Sequence, residues 1–215
     1  MSDPSTRGWG RGWPTDRSSD MTRLLVDGAD FPGGVHKDIH DLMEILLTES
    51  VDRDYEHLHD GWCWGYAFRA IKNPPSLQPP VFTNTPSNHS WGLAIDINAP
   101  SNPFGGSTHT IPEQMGDLWE RYGFRWGGHF STTKDWMHFE YVGAHSDVDR
   151  HLRTAKEDLM QDERLDQYQN GEEAFREKYR DKGGHFDEPP PDDKPGWFKR
   201  GWASARFAAN NPHGE

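Results

Sequence analysis

Apolar positions along this chain recur with two periods, and the change from one to the other outlines the elements. Met21 to Val26 reads as a short strand, and Phe31-Pro32-Gly33-Gly34 as a turn. Ile39, Leu42, Met43, Leu46 and Leu47 then fall on one helical stripe, which predicts a helix over His36 to Ser50. Trp64 to Ile71 reads as a strand with one charged residue, Arg69, inside it. A proline-rich loop, Pro74 to Pro86, leads to a short apolar run, Leu93 to Ile97, expected to be a buried strand. Pro112 opens a second helix with Met115, Leu118, Trp119 and Tyr122 on its apolar face, and Gly123 ends it. Over Trp136 to Val142 the period is two: Met137, Phe139 and Tyr141 are expected to face the core, and Trp136, His138 and Glu140 the other side.

Beyond residue 146 the pattern thins. Val148, Leu152, Ala155 and Leu159 make a narrow stripe in a charged segment, continued less regularly by Leu165, Tyr168, Phe175 and Tyr179, with a break expected near Gly171. The pattern predicts an α+β fold, a small central antiparallel sheet with helices packed on it, followed by a charged helical tail. Four segments follow: an N-terminal arm over 1–20, docked through Trp9 and Trp13; a main domain over 21–146; a charged helical extension over 147–182; and a proline-rich linker with an aromatic end over 183–215. That end carries Trp197, Phe198, Trp202 and Phe207, which favours docking back on the protein or assembly.

Composition narrows the function classes. With 33% hydrophobic residues and a mean hydropathy of -0.98, part of the chain is expected to lie outside any core. A formal net charge of -12 argues against holding nucleic acid through its phosphates. Cys63 is the single cysteine, which excludes an intrachain disulfide and a cysteine-based zinc site and suits a buried thiol. No run is long and apolar enough to insert in a membrane. Met1 to Asp20 has no apolar core like that of a signal peptide, so the chain is expected to be made in the cytoplasm.

The chemistry gathers in two stretches. In Ser87-Asn88-His89-Ser90-Trp91-Gly92-Leu93-Ala94-Ile95-Asp96 an imidazole and a carboxylate stand with six residues between them, the carboxylate within an apolar run. Such a carboxylate costs several kcal/mol unless a positive group neutralises it. Histidine nitrogen and aspartate oxygen are ordinary zinc ligands, and a catalytic zinc takes three protein groups and keeps one position open. Asp135-Trp136-Met137-His138 offers the third ligand, His138, and a candidate general base, Asp135. Arg69 requires either a carboxylate partner or an oxyanion. His36 and His40 lie one helical turn apart but lack an intervening glutamate in the H-E-x-x-H pattern, which favours a solvated face.

Ser87-x-His89-x-x-Gly92-x-Ala94-x-Asp96 followed by Asp135-x-Met137-His138-Phe139-Glu140 resembles the zinc peptidases of the D-Ala-D-Ala carboxypeptidase (VanY-like) group. The full run from Ser87 to Pro100, with Gly-Phe-Arg-Trp-Gly-Gly at 123–128, looks most like the L-alanyl-D-glutamate endopeptidases found as phage endolysins. The resemblance spans about Phe31 to Gly143. It implies one zinc ion on His89, Asp96 and His138, with Asp135 as the catalytic acid and base. It implies that Arg69 steadies the substrate carbonyl, and it matches Ser87 to a serine beside the first ligand. Many relatives carry an acidic residue after Trp-Gly-Gly, where this chain has His129, expected at the pocket rim. Glu140 shares a strand face with His138 and is either its orienting partner or a member of a surface ion pair.

The implied substrate is the stem peptide of bacterial peptidoglycan. The preferred bond is L-Ala–D-Glu, with the terminal D-Ala–D-Ala bond as the alternative. A wall-binding module that keeps zinc without catalysis is the reading from a different class, and Asp135 argues against it. The protein would reach the wall after release at phage or prophage lysis, or as part of a virion.

Overall fold

The structure, a computed structural model, describes residues 3–72 and 82–179. The proline-rich stretch up to residue 81 and the linker with its aromatic end over 183–215 lie outside the described residues. The chain divides into two compact units, with the division after Ala155.

The fold is α+β, as expected, but the sheet is in three parts. β1 (Met21–Val26) pairs antiparallel with β2 (Ala29–His36). Asp27 and Gly28 form the two-residue turn between them, both with positive φ, and Val26 sits opposite Ala29. Phe31-Pro32-Gly33-Gly34 is therefore not the turn but the middle of β2. The Asp-Gly pair four residues earlier was the stronger turn signal. α1 (His40–Asp52) starts later than the apolar stripe suggested, because residue 36 is still strand and His36 N–H is bonded to Gly92 O. The stripe itself is right: Ile39, Leu42, Met43, Leu46 and Leu47 are fully buried.

A second pair joins β3 (Ala70–Lys72) to β4 (Phe82–Pro86), so the end of the expected proline loop is a strand. The third sheet holds the chemistry. It is built from β5 (Ala94–Asp96), β6 (Phe124–Trp126) and β7 (His138–Tyr141), with β7 in the centre and both pairings antiparallel. α2 (Glu113–Glu120) precedes β6 and buries Met115, Leu118 and Trp119. The Trp119 ring lies 4.9 Å from Phe124 and 4.8 Å from Phe139, while its Nε1–H donates to Ser50 Oγ. This aromatic packing under one face of the sheet leaves the other face free for polar groups.

Trp64 to Ile71 is not one strand. Trp64 exchanges two backbone bonds with Asp96, but Gly65 N–H then goes to Pro32 O, Tyr66 N–H to Gly34 O and Ala67 N–H to His89 O. The segment crosses between β2 and the third sheet, so no single ladder forms, and Trp64, Phe68 and Ile71 stay exposed. α3 (Val148–Lys178) is one helix without the expected break at Gly171. One interior glycine costs about 1 kcal/mol, which the surrounding Glu, Gln, Arg and Lys residues offset by their own helix preference.

The N-terminal arm is docked. Trp9 is buried, and its Nε1–H donates to Gly143 O. Trp13 is half-buried and joins through its backbone N–H, which donates to Ser90 Oγ.

Candidate metal centre

Antiparallel register makes two of the three candidate ligands neighbours. Asp96 of β5 lies directly opposite His138 of β7, while Ile95 and Phe139 pair on the core face. His89 arrives from the 3-10 turn Asn88–Trp91, which precedes β5. Gly92 ends that turn in the left-handed region, and a Cβ there would come within 2.5 Å of His36 N. A glycine is thus required to turn His89 back over the sheet. Asp96 Oδ1 stands 3.0 Å from His138 Nδ1 and 3.3 Å from His89 Nε2, and the two nitrogens are 3.2 Å apart.

The outer hydrogen bonds decide what those three atoms are. His89 Nδ1 is 2.7 Å from Gly65 O, a pure acceptor, so this nitrogen carries the proton and Nε2 presents a lone pair. His138 Nε2 faces Glu140 Oε2 at 3.3 Å. Burial alone would raise the Glu140 carboxyl, but His138 and Arg125 hold it down to about 2, so it too is an acceptor. His138 therefore turns the Nδ1 lone pair inwards when neutral. Burial would likewise raise Asp96, yet His89 and His138 pull it well below the ordinary carboxylate range. Two lone pairs and a carboxylate oxygen converge with no donor among them.

Only a cation reconciles that arrangement. Without a metal a proton on His138 takes the role: burial opposes it, but the hydrogen bonds to Asp96 and Glu140 raise its pKa well above 6.5. A proton bridges two atoms, whereas three atoms converge. Zinc bonds of about 2.0–2.1 Å at tetrahedral angles place ligand atoms about 3.3 Å apart, close to the spacing seen here. The donor set fits one divalent ion, and the residues that could hold it are His89, Asp96 and His138.

The triad opens on a cavity of about 550 Å³ that also reaches Asp135, Arg69 and Ser87. Asp135 is held just before β7 by its N–H to Gly127 O and by its own carbonyl, which accepts from His138 N–H. Gly127 has to be glycine, because a Cβ would lie 2.2 Å from Asp135 O. Asp135 Oδ1 is shielded and has no hydrogen-bond partner among the described residues. Burial pushes this carboxyl up to about 6, against the pull of His138, His89 and Arg69. That is the range of a working general base. Arg69 forms no ion pair among the described residues. Its Nη1 donates to Ala70 O, and Asp96 and Asp135 are its nearest opposite charges. Ser87 caps the turn that carries His89, and its carbonyl accepts from Ser90 N–H and Oγ–H.

Glu140 faces His138, the first of the two readings considered for it, and its ion pair is not a surface one. It is buried, receives His138 on one oxygen and Arg125 on the other, and Asn88 Nδ2 also donates to it. Arg125 sits directly across from Glu140 on β6, a cross-strand pair that the alternation Phe124-Arg125-Trp126 could have revealed. Asn88 and the Gly65 carbonyl carried no such signal, since their approach depends on the crossing segment. Met137 was expected in the core but lines the cavity instead, because β7 begins only at His138.

His129 departs from the expected pocket rim. It does not line the cavity; its ring lies between Glu113 and Glu120 of α2. His36 and His40 do not meet at a site either. His36 ends β2 buried, and His40 begins α1 bonded to Asp41 and Arg23 O. Cys63 is a buried thiol, with Sγ 3.7 Å from His59 O and Asn98 Oδ1. Among the described residues no helix is long and apolar enough to cross a membrane.

Residues 82–141 match the family model described as D-alanyl-D-alanine carboxypeptidase. No curated protein and no solved structure matches the chain. The matched segment runs from β4 to the end of β7 and contains both motifs with all three candidate ligands. It supports, at the level of the superfamily, the resemblance read from those motifs, and with it a peptidase of the kind that acts on peptidoglycan.

Proposed function

We propose that the protein is a zinc-dependent peptidase that hydrolyses an amide bond of the peptidoglycan stem peptide. The observation that carries this reading is the convergence of three electron-pair donors, 3.0–3.3 Å apart, in one cavity with Asp135, whose Oδ1 has no partner among the described residues. A zinc ion on His89, Asp96 and His138 supplies a Lewis acid that polarises a carbonyl and acidifies water.

The chain's own groups do the rest. Asp135, with a pKa of about 6, takes the proton of the attacking water and returns it to the leaving amine. Arg69, free of any ion pair among the described residues, donates to the oxygen that becomes negative as the carbonyl is attacked. Glu140 and Gly65 O hold the outer nitrogens of His138 and His89 and so keep both rings aimed inwards.

Within this class we prefer the L-Ala–D-Glu bond, on the strength of the endolysin-like run from Ser87 to Pro100. In that setting the enzyme reaches the wall when a cell is lysed. The terminal D-Ala–D-Ala bond is the second reading, favoured by the printed description of the matching family.

The test is mass spectrometry of fragments from purified peptidoglycan, with the zinc-loaded protein and after chelation. Metal-dependent fragments ending at the lactyl-L-Ala would establish the preferred bond. Loss of a terminal D-Ala alone would establish the second. Undiminished cleavage after complete removal of metal would refute the mechanism.

A further inference from the structure

We propose that Arg7, from the N-terminal arm, forms a carboxylate subsite in the wall of the metal cavity, and that its ligand is a free carboxylate of the substrate peptide. This rests on the peptidase reading above for the identity of the peptide, but not for the geometry of the subsite.

The arm is a fixed wall. Besides Trp9 and Trp13, Trp91 Nε1–H donates to Gly10 O at 2.9 Å. Gly12 lies so close to the Trp91 ring that a Cβ would come within 2.4 Å of it. Asp3, Pro4 and Arg7 thereby line the same cavity as His89, Asp96 and His138.

Arg7 is held in one orientation. Its Nη1 donates to Gly143 O at 3.1 Å and Tyr141 O at 3.5 Å, just past and at the end of the ligand strand β7. The remaining two nitrogens, Nε and Nη2, are shielded from water and have no acceptor among the described residues. These two N–H groups point the same way and form the side-on fork of a guanidinium, the edge that matches the two oxygens of a carboxylate. A buried donor pair left unmet is costly, so the fork calls for an acceptor.

Among the described residues no side chain supplies one. The acids nearest in charge are Glu140 and Asp3. Glu140 is taken by Arg125, His138 and Asn88, and Asp3 Oδ1 accepts from Ser5 N–H. Lys72 also lines the same cavity. A stem peptide offers two sources of one chemistry: its C-terminal carboxylate, and the α-carboxylate left free when D-Glu is linked through its side chain.

The test uses the full chain with Asp135→Asn to prevent turnover, titrated with L-Ala-γ-D-Glu peptides. Each peptide carries either acid or amide at the α position, and either acid or amide at the C-terminus. With Arg7 present, one acid is expected to bind roughly tenfold tighter than its amide. The position at which this happens identifies the source. Arg7→Gln is expected to bind acid and amide alike. Arg7→Lys keeps the charge and a donor for Gly143 O but lacks the fork, and is expected to retain only a small part of the preference. Equal weakening for acid and amide, or no change on substitution, would overturn the proposal. Wild-type digestion of peptidoglycan separates the two readings. Cleavage without an acid preference sinks the subsite alone. An acid preference without cleavage sinks the peptidase alone. Neither binding nor cleavage sinks both.

Discussion

Two histidines in this protein are each held between two carboxylates, and they make different sites. His138 lies between Asp96 and Glu140, and His129 between Glu113 and Glu120. In both, burial acts to lower the pKa and the carboxylates raise it. His138 is buried on a strand, its partners are 15% exposed or less, and a second imidazole closes the group. His129 is on the surface, Glu113 is 65% exposed, and both ring nitrogens are spent on the glutamates. The lesson is that composition does not make a metal centre. A ring nitrogen must be left unspent and aimed at other unspent donors, away from water. His89 Nε2 and His138 Nδ1 meet that condition, and His129 does not.

The largest expected effect comes from breaking the buried group. Replacing His89, Asp96 or His138 by Ala should abolish both bound zinc and peptidoglycan cleavage, whereas His129→Ala should leave zinc content full. Metal analysis after gel filtration reads both, and zinc lost from His129→Ala would erase the distinction. Next, Asp135→Asn should keep the metal and lower kcat by about 10²–10⁴-fold. An unchanged kcat with full metal would remove Asp135 from the chemistry and favour a non-catalytic module.

A finer cut is Glu140→Gln, which keeps the shape but leaves His138 less firmly oriented. Zinc affinity should fall about 10–100-fold in competition with a chelator. The matching change on the surface, Glu120→Gln, should leave that affinity where it was. The smallest effect concerns pH. His129 has a raised pKa in the folded protein, so it binds a proton more tightly there than in the unfolded chain. Its contribution is complete below about 6.5 and is lost as pH rises through the raised value. His129→Gln should therefore flatten the stability profile in that window by less than about 1 kcal/mol, since the pair is exposed to solvent. A steeper profile in the variant would reverse the assigned sign.

Residues with periodic partners were legible from the order of amino acids. The α1 stripe, the apolar face of α2, and the alternation of His138 and Glu140 with Phe139 and Tyr141 all follow from local spacing. The structure buries these apolar residues as that spacing implies. The segment between Trp64 and Ile71 resisted the same reading, because its hydrogen bonds go to β5, to β2 and to the His89 turn in succession. No single period encodes three partners.

The sequence by itself determined the donor types and the strands that carry them, since two-residue alternation is a local property of extended backbone. Only tertiary structure decided which nitrogens stay unspent. Gly65 O reaches His89, Arg125 meets Glu140 across β6 and β7, and His129 is drawn off to α2, all through contacts between segments distant along the chain. It likewise brought Arg7 to the cavity wall, by docking an arm whose own residues carry no periodic signal. Periodicity reports which face a side chain takes; the neighbours it meets there depend on how the elements pack.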